Sequence, residues 1–193
     1  YRAQARLHAA PDGRLGFHRA ASNDVVPVDR CLVLSPGAQQ LREEIGDTTG
    51  ATEVRLRRFA TGGPGAVVLT PGPGPLDLPA GDADLLLTQP DGSAVAMRGD
   101  GDLEVEVDGL RFEVPALSFF QPSVAAATAL LREVVAAAGP IAGALTWDLY
   151  AGVGLLSLGL ARAGAEVVAV EGDGAAVAAA SEAVPTSASS SIG

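Results

Sequence analysis

Lysine is absent from this chain: all thirteen basic residues are arginine. Cysteine occurs once, at Cys31. That excludes an internal disulfide framework and any metal site built from several cysteines of this chain. Aromatic residues make up only 4%. No apolar run is long enough to span a bilayer, and the opening Tyr1-Arg2-Ala3-Gln4-Ala5-Arg6 lacks a signal-peptide core. It also lacks an initiator methionine, so residues are expected to precede it. These absences point to a cytoplasmic protein with no membrane partner.

Positive charge is scarce overall, with a net charge of -10. An acidic chain argues at first sight against nucleic acid, and no DNA partner is expected. The imbalance is uneven, however. Residues 1–60 hold nine arginines against seven acidic residues, whereas residues 61–193 hold four against sixteen. Any RNA-facing surface therefore belongs to the N-terminal third or to sequence outside this chain. His8 and His18 have no metal-ligand spacing and read as surface residues.

What the chain does have is 48% hydrophobic residues and frequent punctuation by 24 glycines and 13 prolines. That composition supports a core divided among short elements. Residues 1–20 read as a hairpin around Pro11-Asp12-Gly13, and Asp24–Val28 as a short extended stretch. Ser35-Pro36 opens a helix through about Ile45. Thr52–Phe59 alternates as a strand with a basic face (Arg55, Arg57, Arg58). Ala66–Thr70, Leu85–Thr88, Ala94–Arg98, Leu103–Val107 and Leu110–Val114 read as an antiparallel series. Residues 1–115 are thus expected to form a β-rich domain with one helix.

The pattern changes after Pro115. Ser123–Ala138 is helical in spacing, then Ala144–Leu149, Gly152–Ala163, Glu166–Val170 and Gly174–Ala183 read as strand, helix, strand and helix. This is a βαβ unit opening a parallel sheet. Two strands cannot complete such a sheet, since both faces and edges would lack partners. The expectation is an α+β chain truncated at both ends. Its second domain occupies residues 116–184, and residues 185–193 form a disordered or non-native tail.

The sharpest motif is Asp148-Leu149-Tyr150-Ala151-Gly152-Val153-Gly154, where a strand ends and a helix begins. Glycines there let a ligand approach the backbone, and a helix N-terminus offers unpaired N–H groups. Glu171 ends the next strand, where a carboxylate can accept both hydroxyls of a ribose. Together they point to an adenosine-containing cofactor. Ser157 stands where a dinucleotide fingerprint needs its third glycine, which disfavours a nicotinamide oxidoreductase. The residues alone also leave open a class I methyltransferase acting on another substrate, and a non-catalytic RNA-binding remnant.

The Asp-x-Tyr-x-Gly-x-Gly segment resembles the first motif of class I S-adenosylmethionine-dependent methyltransferases. Ser118-Phe119-Phe120-Gln121-Pro122-Ser123 resembles the Phe-Phe-Gln-x-Asn segment of the RNA uracil-5 methyltransferases. Gly16-Phe17-His18-Arg19 followed by Asp24–Cys31 resembles a further segment of that family. The resemblance implies a Rossmann-like catalytic domain, S-adenosylmethionine as cofactor, and ribosomal or transfer RNA as partner, methylated at C5 of a uridine. It implies that Gln121 contacts the methionine end of the cofactor. It further implies that Tyr150, Gly152 and Gly154 line its pocket and that Glu171 holds its ribose. Ser123 and Leu155 depart from the family's asparagines, and Asp148 is expected to order the turn. Cys31 falls where ribosomal-RNA members carry the last of four iron–sulfur ligands, so it would be an orphan ligand here.

In that family a cysteine thiolate adds to C6 of uracil and a carboxylate later removes the C5 proton. The nucleophile lies in a Ser-Cys-Asn/Asp-Pro segment that these 193 residues do not contain. No catalytic residue is therefore expected in this chain, which alone should not transfer methyl groups.

Overall fold

The computed structural model describes residues 1–46 and 48–183, and the tail read at 185–193 lies outside them. The chain divides into two compact units, Tyr1–Leu103 and Glu104–Gly193.

The first unit is built on a seven-stranded sheet of order β3-β2-β1-β4-β5-β6-β7. Its strands are β1 (Gln4–Ala9), β2 (Leu15–His18), β3 (Val25–Pro27), β4 (Ala51–Arg57), β5 (Ala66–Pro71), β6 (Asp84–Thr88) and β7 (Ala94–Arg98). Helix α1 (Pro36–Glu44) starts where Ser35 Oγ accepts the Ala38 N–H at 3.3 Å, with Pro36 in its first turn. Its Ala38 and Leu41 pack with Leu7, Val54, Leu56, Val67, Leu69 and Leu85 into the core. The alternation that puts Leu7 inside puts Arg6 and His8 on the opposite face.

The sheet is not a purely antiparallel series. β5 and β6 pair in parallel, Val67 opposite Leu85 and Leu69 opposite Leu87. The Gly/Pro-rich connection between them is long enough to return the chain to the same end of the sheet, so a hairpin is not required. Gly50, just before β4, packs against that connection and accepts the Gly72 N–H at 2.7 Å. Its φ is +88°, and an added Cβ would sit 1.9 Å from the Pro75 carbonyl oxygen.

The basic face read on β4 is mostly closed. Arg57 is buried with Gln4 Oε1 accepting from its Nε and Nη2 at 2.9 and 2.7 Å, and burial pulls its pKa down to about 10. Arg58 is also buried, 2.7 Å from Glu44. Only Arg55 keeps substantial exposure, at 39% of its side chain.

The second unit contains most of β8 (Asp102–Val107) and all of β9 (Leu110–Pro115), which form their own two-stranded sheet. The composition changes at Pro115, but the units divide between Leu103 and Glu104. The reason is packing: α3 (Leu155–Arg162) and α4 (Gly174–Ala183) both lie against β9. Asp108, in the turn between β8 and β9, ties it to the helices by pairing with Arg132 at 2.7 Å and Arg162 at 2.5 Å.

Helix α2 (Val124–Ala138) begins at Ser123, whose Oγ accepts the Ala126 N–H at 3.3 Å. β10 (Leu145–Leu149), α3 and β11 (Glu166–Val170) make the βαβ unit. β10 and β11 are parallel, with Trp147 opposite Val168 and Leu149 opposite Val170. Leu145, Trp147 and Leu149 share one face of β10 and are each about 60% exposed, at 62%, 61% and 60%. No helix among the described residues is long and apolar enough to cross a membrane.

Candidate functional site

The loops at the C-terminal ends of β10 and β11 carry the motif residues. β10 ends at Leu149, and Tyr150 follows with a left-handed φ of 62° and 91% exposure. A left-handed conformation costs a non-glycine residue roughly 1–2 kcal/mol, so this aromatic is held at the surface against local preference. Gly152 and Gly154 are also left-handed, at 57° and 82°. Here glycine removes the strain and leaves the space beside the turn open: nothing lies closer to a Gly152 Cβ position than the Phe119 carbonyl oxygen, at 3.9 Å.

Gly154 is also the N-cap of α3 and provides no capping side chain, so the first N–H groups of the helix are left for another acceptor. Two further bonds fix this turn. The Ala151 N–H donates to the Val170 carbonyl at 3.1 Å, and the Gly154 N–H to the Ala151 carbonyl at 3.0 Å.

Glu171 lies beside the same turn. Its Oε2 accepts the Gly152 N–H at 2.7 Å, and its Oε1 accepts the N–H groups of Gly172 at 2.6 Å and Asp173 at 2.9 Å. The backbone donors of Asp173, Gly152 and Gly172 hold this carboxyl below the ordinary glutamate range. The acid read as a ribose acceptor is thus also the clamp on the glycine turn.

Asp148 orders the turn from the other side, with its Oδ2 accepting from Ser157 Oγ at 2.6 Å. Ser157, at 9% exposure in α3, therefore fills the place of a third glycine with a hydroxyl that anchors helix to strand. The Ser118–Gln121 segment comes against the glycine turn through the Phe119 backbone. Phe120 is buried with its ring 6.2 Å from that of Phe112, which fixes the segment while Gln121 stays half-buried. The structure thus brings Tyr150, Gly152, Gly154 and Glu171 together, with the backbone leading to Gln121 beside them.

Ser118 and Asp173 carry roles that sequence reading missed. Ser118 Oγ donates to Asp173 Oδ2 at 2.6 Å, while Asp173 Oδ1 accepts the Ala175 N–H at 3.0 Å and the Ala176 N–H at 3.4 Å. The sequence signal was an Asp immediately before a helical run, a helix-start residue. Ser123 proves to be a helix cap.

Cys31 belongs to the first unit, is a half-buried free thiol, and donates its backbone N–H to Gln39 Oε1 at 3.2 Å. Among the described residues no three His, Cys, Asp or Glu side chains are grouped to hold a metal. A single cysteine does not hold an iron–sulfur cluster, so the residues present do not fit one.

No protein-family model matches the chain. It is 28% identical over 166 residues to an uncharacterized RNA methyltransferase of Streptomyces avermitilis, covering 83% of this chain and 38% of that protein. It is 29% identical over 170 residues to the 23S rRNA (uracil(1939)-C(5))-methyltransferase RlmD of Edwardsiella ictaluri, covering 82% of this chain and 39% of that protein. The chain therefore spans under two fifths of the length of these relatives. Its fold matches the crystal structure of Pyrococcus abyssi tRNA (uracil-54, C5)-methyltransferase in complex with S-adenosyl-L-homocysteine. The TM-score is 0.72 at 20% identity, over 95% of this chain and 52% of that one.

Proposed function

We propose that this chain, a member of the RNA uracil-5 methyltransferase family, carries the S-adenosylmethionine-binding loops of a cytoplasmic enzyme. That enzyme methylates C5 of a uridine in ribosomal or transfer RNA. The observation that carries the reading is the hydrogen bond from Gly152 to Glu171, which joins the glycine turn and the acidic residue into one receptor.

The residues suit the cofactor on physical grounds. The open space at Gly152 admits a ligand against the backbone, and the uncapped start of α3 offers N–H donors. Glu171 accepts ribose hydroxyls. Three of a carboxylate's roughly four acceptor directions are already taken by N–H groups. Ribose binding therefore draws on the remaining direction and on exchange with the Gly152 bond. Gln121 presents its amide toward the methionine end, and Tyr150 walls the pocket. When bound, S-adenosylmethionine supplies a methyl group activated by its sulfonium. The nucleophilic cysteine and the base are assigned to a Ser-Cys-Asn/Asp-Pro segment and a later strand that these 193 residues do not include.

Titration calorimetry with S-adenosylhomocysteine tests the reading on the chain as it stands. Saturable binding is expected, without transfer of label from S-adenosylmethionine to RNA. Absence of binding, or tighter binding of NAD than of S-adenosylhomocysteine, overturns it.

A further inference from the structure

On the face of the first unit's sheet opposite its core, two arginines break a local rule of charge placement. Arg6 on β1 lies directly across from Arg55 on β4, and His8 directly across from Glu53. Like charges in directly opposed positions are destabilising. Beside them the His8 and His18 rings lie close, with centroids 3.9 Å apart and planes tilted by 36°. A second potential repulsion thus sits next to the first.

One carboxylate balances the group. Glu53 accepts from Arg6 Nε at 2.6 Å through Oε2 and from Arg55 Nε at 2.7 Å through Oε1. Its Oε2 is also 3.8 Å from His8 Nδ1. The Glu53 side chain is only 9% exposed, while those of Arg6 and Arg55 are 62% and 39% exposed. The negative charge is therefore sunk beneath two guanidiniums that reach solvent, and a net positive surface results. Imidazole Nδ1 of the exposed His18 faces the Asn23 carbonyl at 3.1 Å, which orients the ring.

This surface lies in the one stretch of the chain with a basic surplus, residues 1–60, within a protein of net charge -10. Charge segregated in this way focuses potential on one patch and directs a polyanion to it. Planar guanidiniums suit phosphate oxygens, and an exposed imidazole offers a face on which a base can stack.

We propose that the Arg6, His8, His18 and Arg55 face binds the phosphate backbone of the RNA substrate, with His18 stacking against an unpaired base. The proposal rests on the reading of this chain as part of an RNA methyltransferase. Glu53 in this role is a positioning residue, which spreads the two guanidiniums.

The test uses the full chain and a fluorescein-labelled single-stranded RNA oligonucleotide, read by anisotropy across a salt series. The double variant R6Q/R55Q strands the buried Glu53 and risks unfolding. R6Q/E53Q/R55Q removes the three charges together and is the informative protein, with folding checked by circular dichroism. At low salt its affinity is expected to fall about fivefold or more, with the slope of log K against log salt shallower by about one. H18A is expected to weaken binding with the slope unchanged. R14Q, an exposed arginine paired to Asp12, serves as control and leaves affinity unchanged.

Equal affinity and slope in the folded triple variant overturn the proposal. So does a chain that does not bind RNA at all. Calorimetry with S-adenosylhomocysteine on the same preparations tells these failures apart from failure of the methyltransferase reading, because retained cofactor binding leaves that reading standing.

Discussion

Glu171 Oε2 accepts the Gly152 N–H at 2.7 Å, so the ends of two neighbouring parallel strands are joined by a charged hydrogen bond. Bonds to an ionised acceptor are among the stronger ones a protein makes. The same carboxylate therefore fixes the glycine turn and, in the function proposed above, also receives the ligand.

Glu171→Ala removes both roles, and S-adenosylhomocysteine affinity is expected to fall by about tenfold or more, or roughly 1.4 kcal/mol. Glu171→Gln keeps an oxygen for the Gly152 N–H but not the charge, so its loss is expected to be smaller. Calorimetry on both variants checks this order. Equal affinities for all three proteins contradict it.

Ser157→Ala leaves Asp148 without its 2.6 Å donor at the base of the turn. The expected cost is about 1–2 kcal/mol of stability, from loss of a hydrogen bond to a charged, half-buried group. Cofactor affinity should fall less than in Glu171→Ala, since the hydroxyl acts on the turn and not on the ligand. Chemical denaturation and calorimetry measure the two effects separately.

Glu171 and Glu53 make stability depend on pH in one direction. For Glu53, burial raises the pKa, but bonds from Arg55 and Arg6 outweigh it and the net shift is downward. Glu171 is lowered by its backbone donors. A carboxyl lowered in the folded state binds fewer protons there than in the unfolded chain. Its contribution is complete above the ordinary glutamate pKa and is lost as pH falls through the lowered value. Thermal melts should be flat near neutrality and drop on acidification below the ordinary glutamate range. Glu53→Gln should flatten the drop.

Gly50→Ala and Gly13→Ala separate two costs of losing a glycine. Both residues are left-handed, at +88° and +82°, but only at Gly50 would the added Cβ meet backbone, 1.9 Å from the Pro75 oxygen. Gly13 has nothing within 4 Å. Gly13→Ala is expected to cost about 1–2 kcal/mol, the conformational penalty alone. Gly50→Ala adds a steric clash that must move the Gly72–Leu76 connection, and should exceed it by at least about 1 kcal/mol. Denaturant midpoints compare them directly.

Most elements were legible because their signals are local. Ser35-Pro36 marked the start of α1 and the helical spacing from Ser123 marked α2, and both serine hydroxyls make a capping bond. The spacing of Gly152, Gly154 and Glu171 likewise marked residues that the fold brings together, since strand ends and helix starts fix where such residues fall. Partnership across the chain was not legible. The short apolar runs 66–70 and 85–88 give two strands but not their relative direction, so the parallel β5–β6 pair escaped. Arg57 read as a surface charge because nothing local marks Gln4, far away in sequence, as its acceptor. Ser157 was noticed for the glycine it replaces, and its bond to Asp148 emerged only once the helix was folded against the strand.

Trp147 is the only tryptophan of the chain, and it stands 61% exposed midway along β10, one residue from Asp148. Its indole emission therefore reports a single place. In the isolated chain that emission should be red-shifted and open to quenching by added acrylamide. Anything that settles on the Leu145, Trp147 and Leu149 row, whether another stretch of polypeptide or a second molecule, would shift it to the blue and shield it. The protein thus comes with its own optical gauge of whether the apolar side of its β10–β11 pair is covered, needing no label and no altered residue.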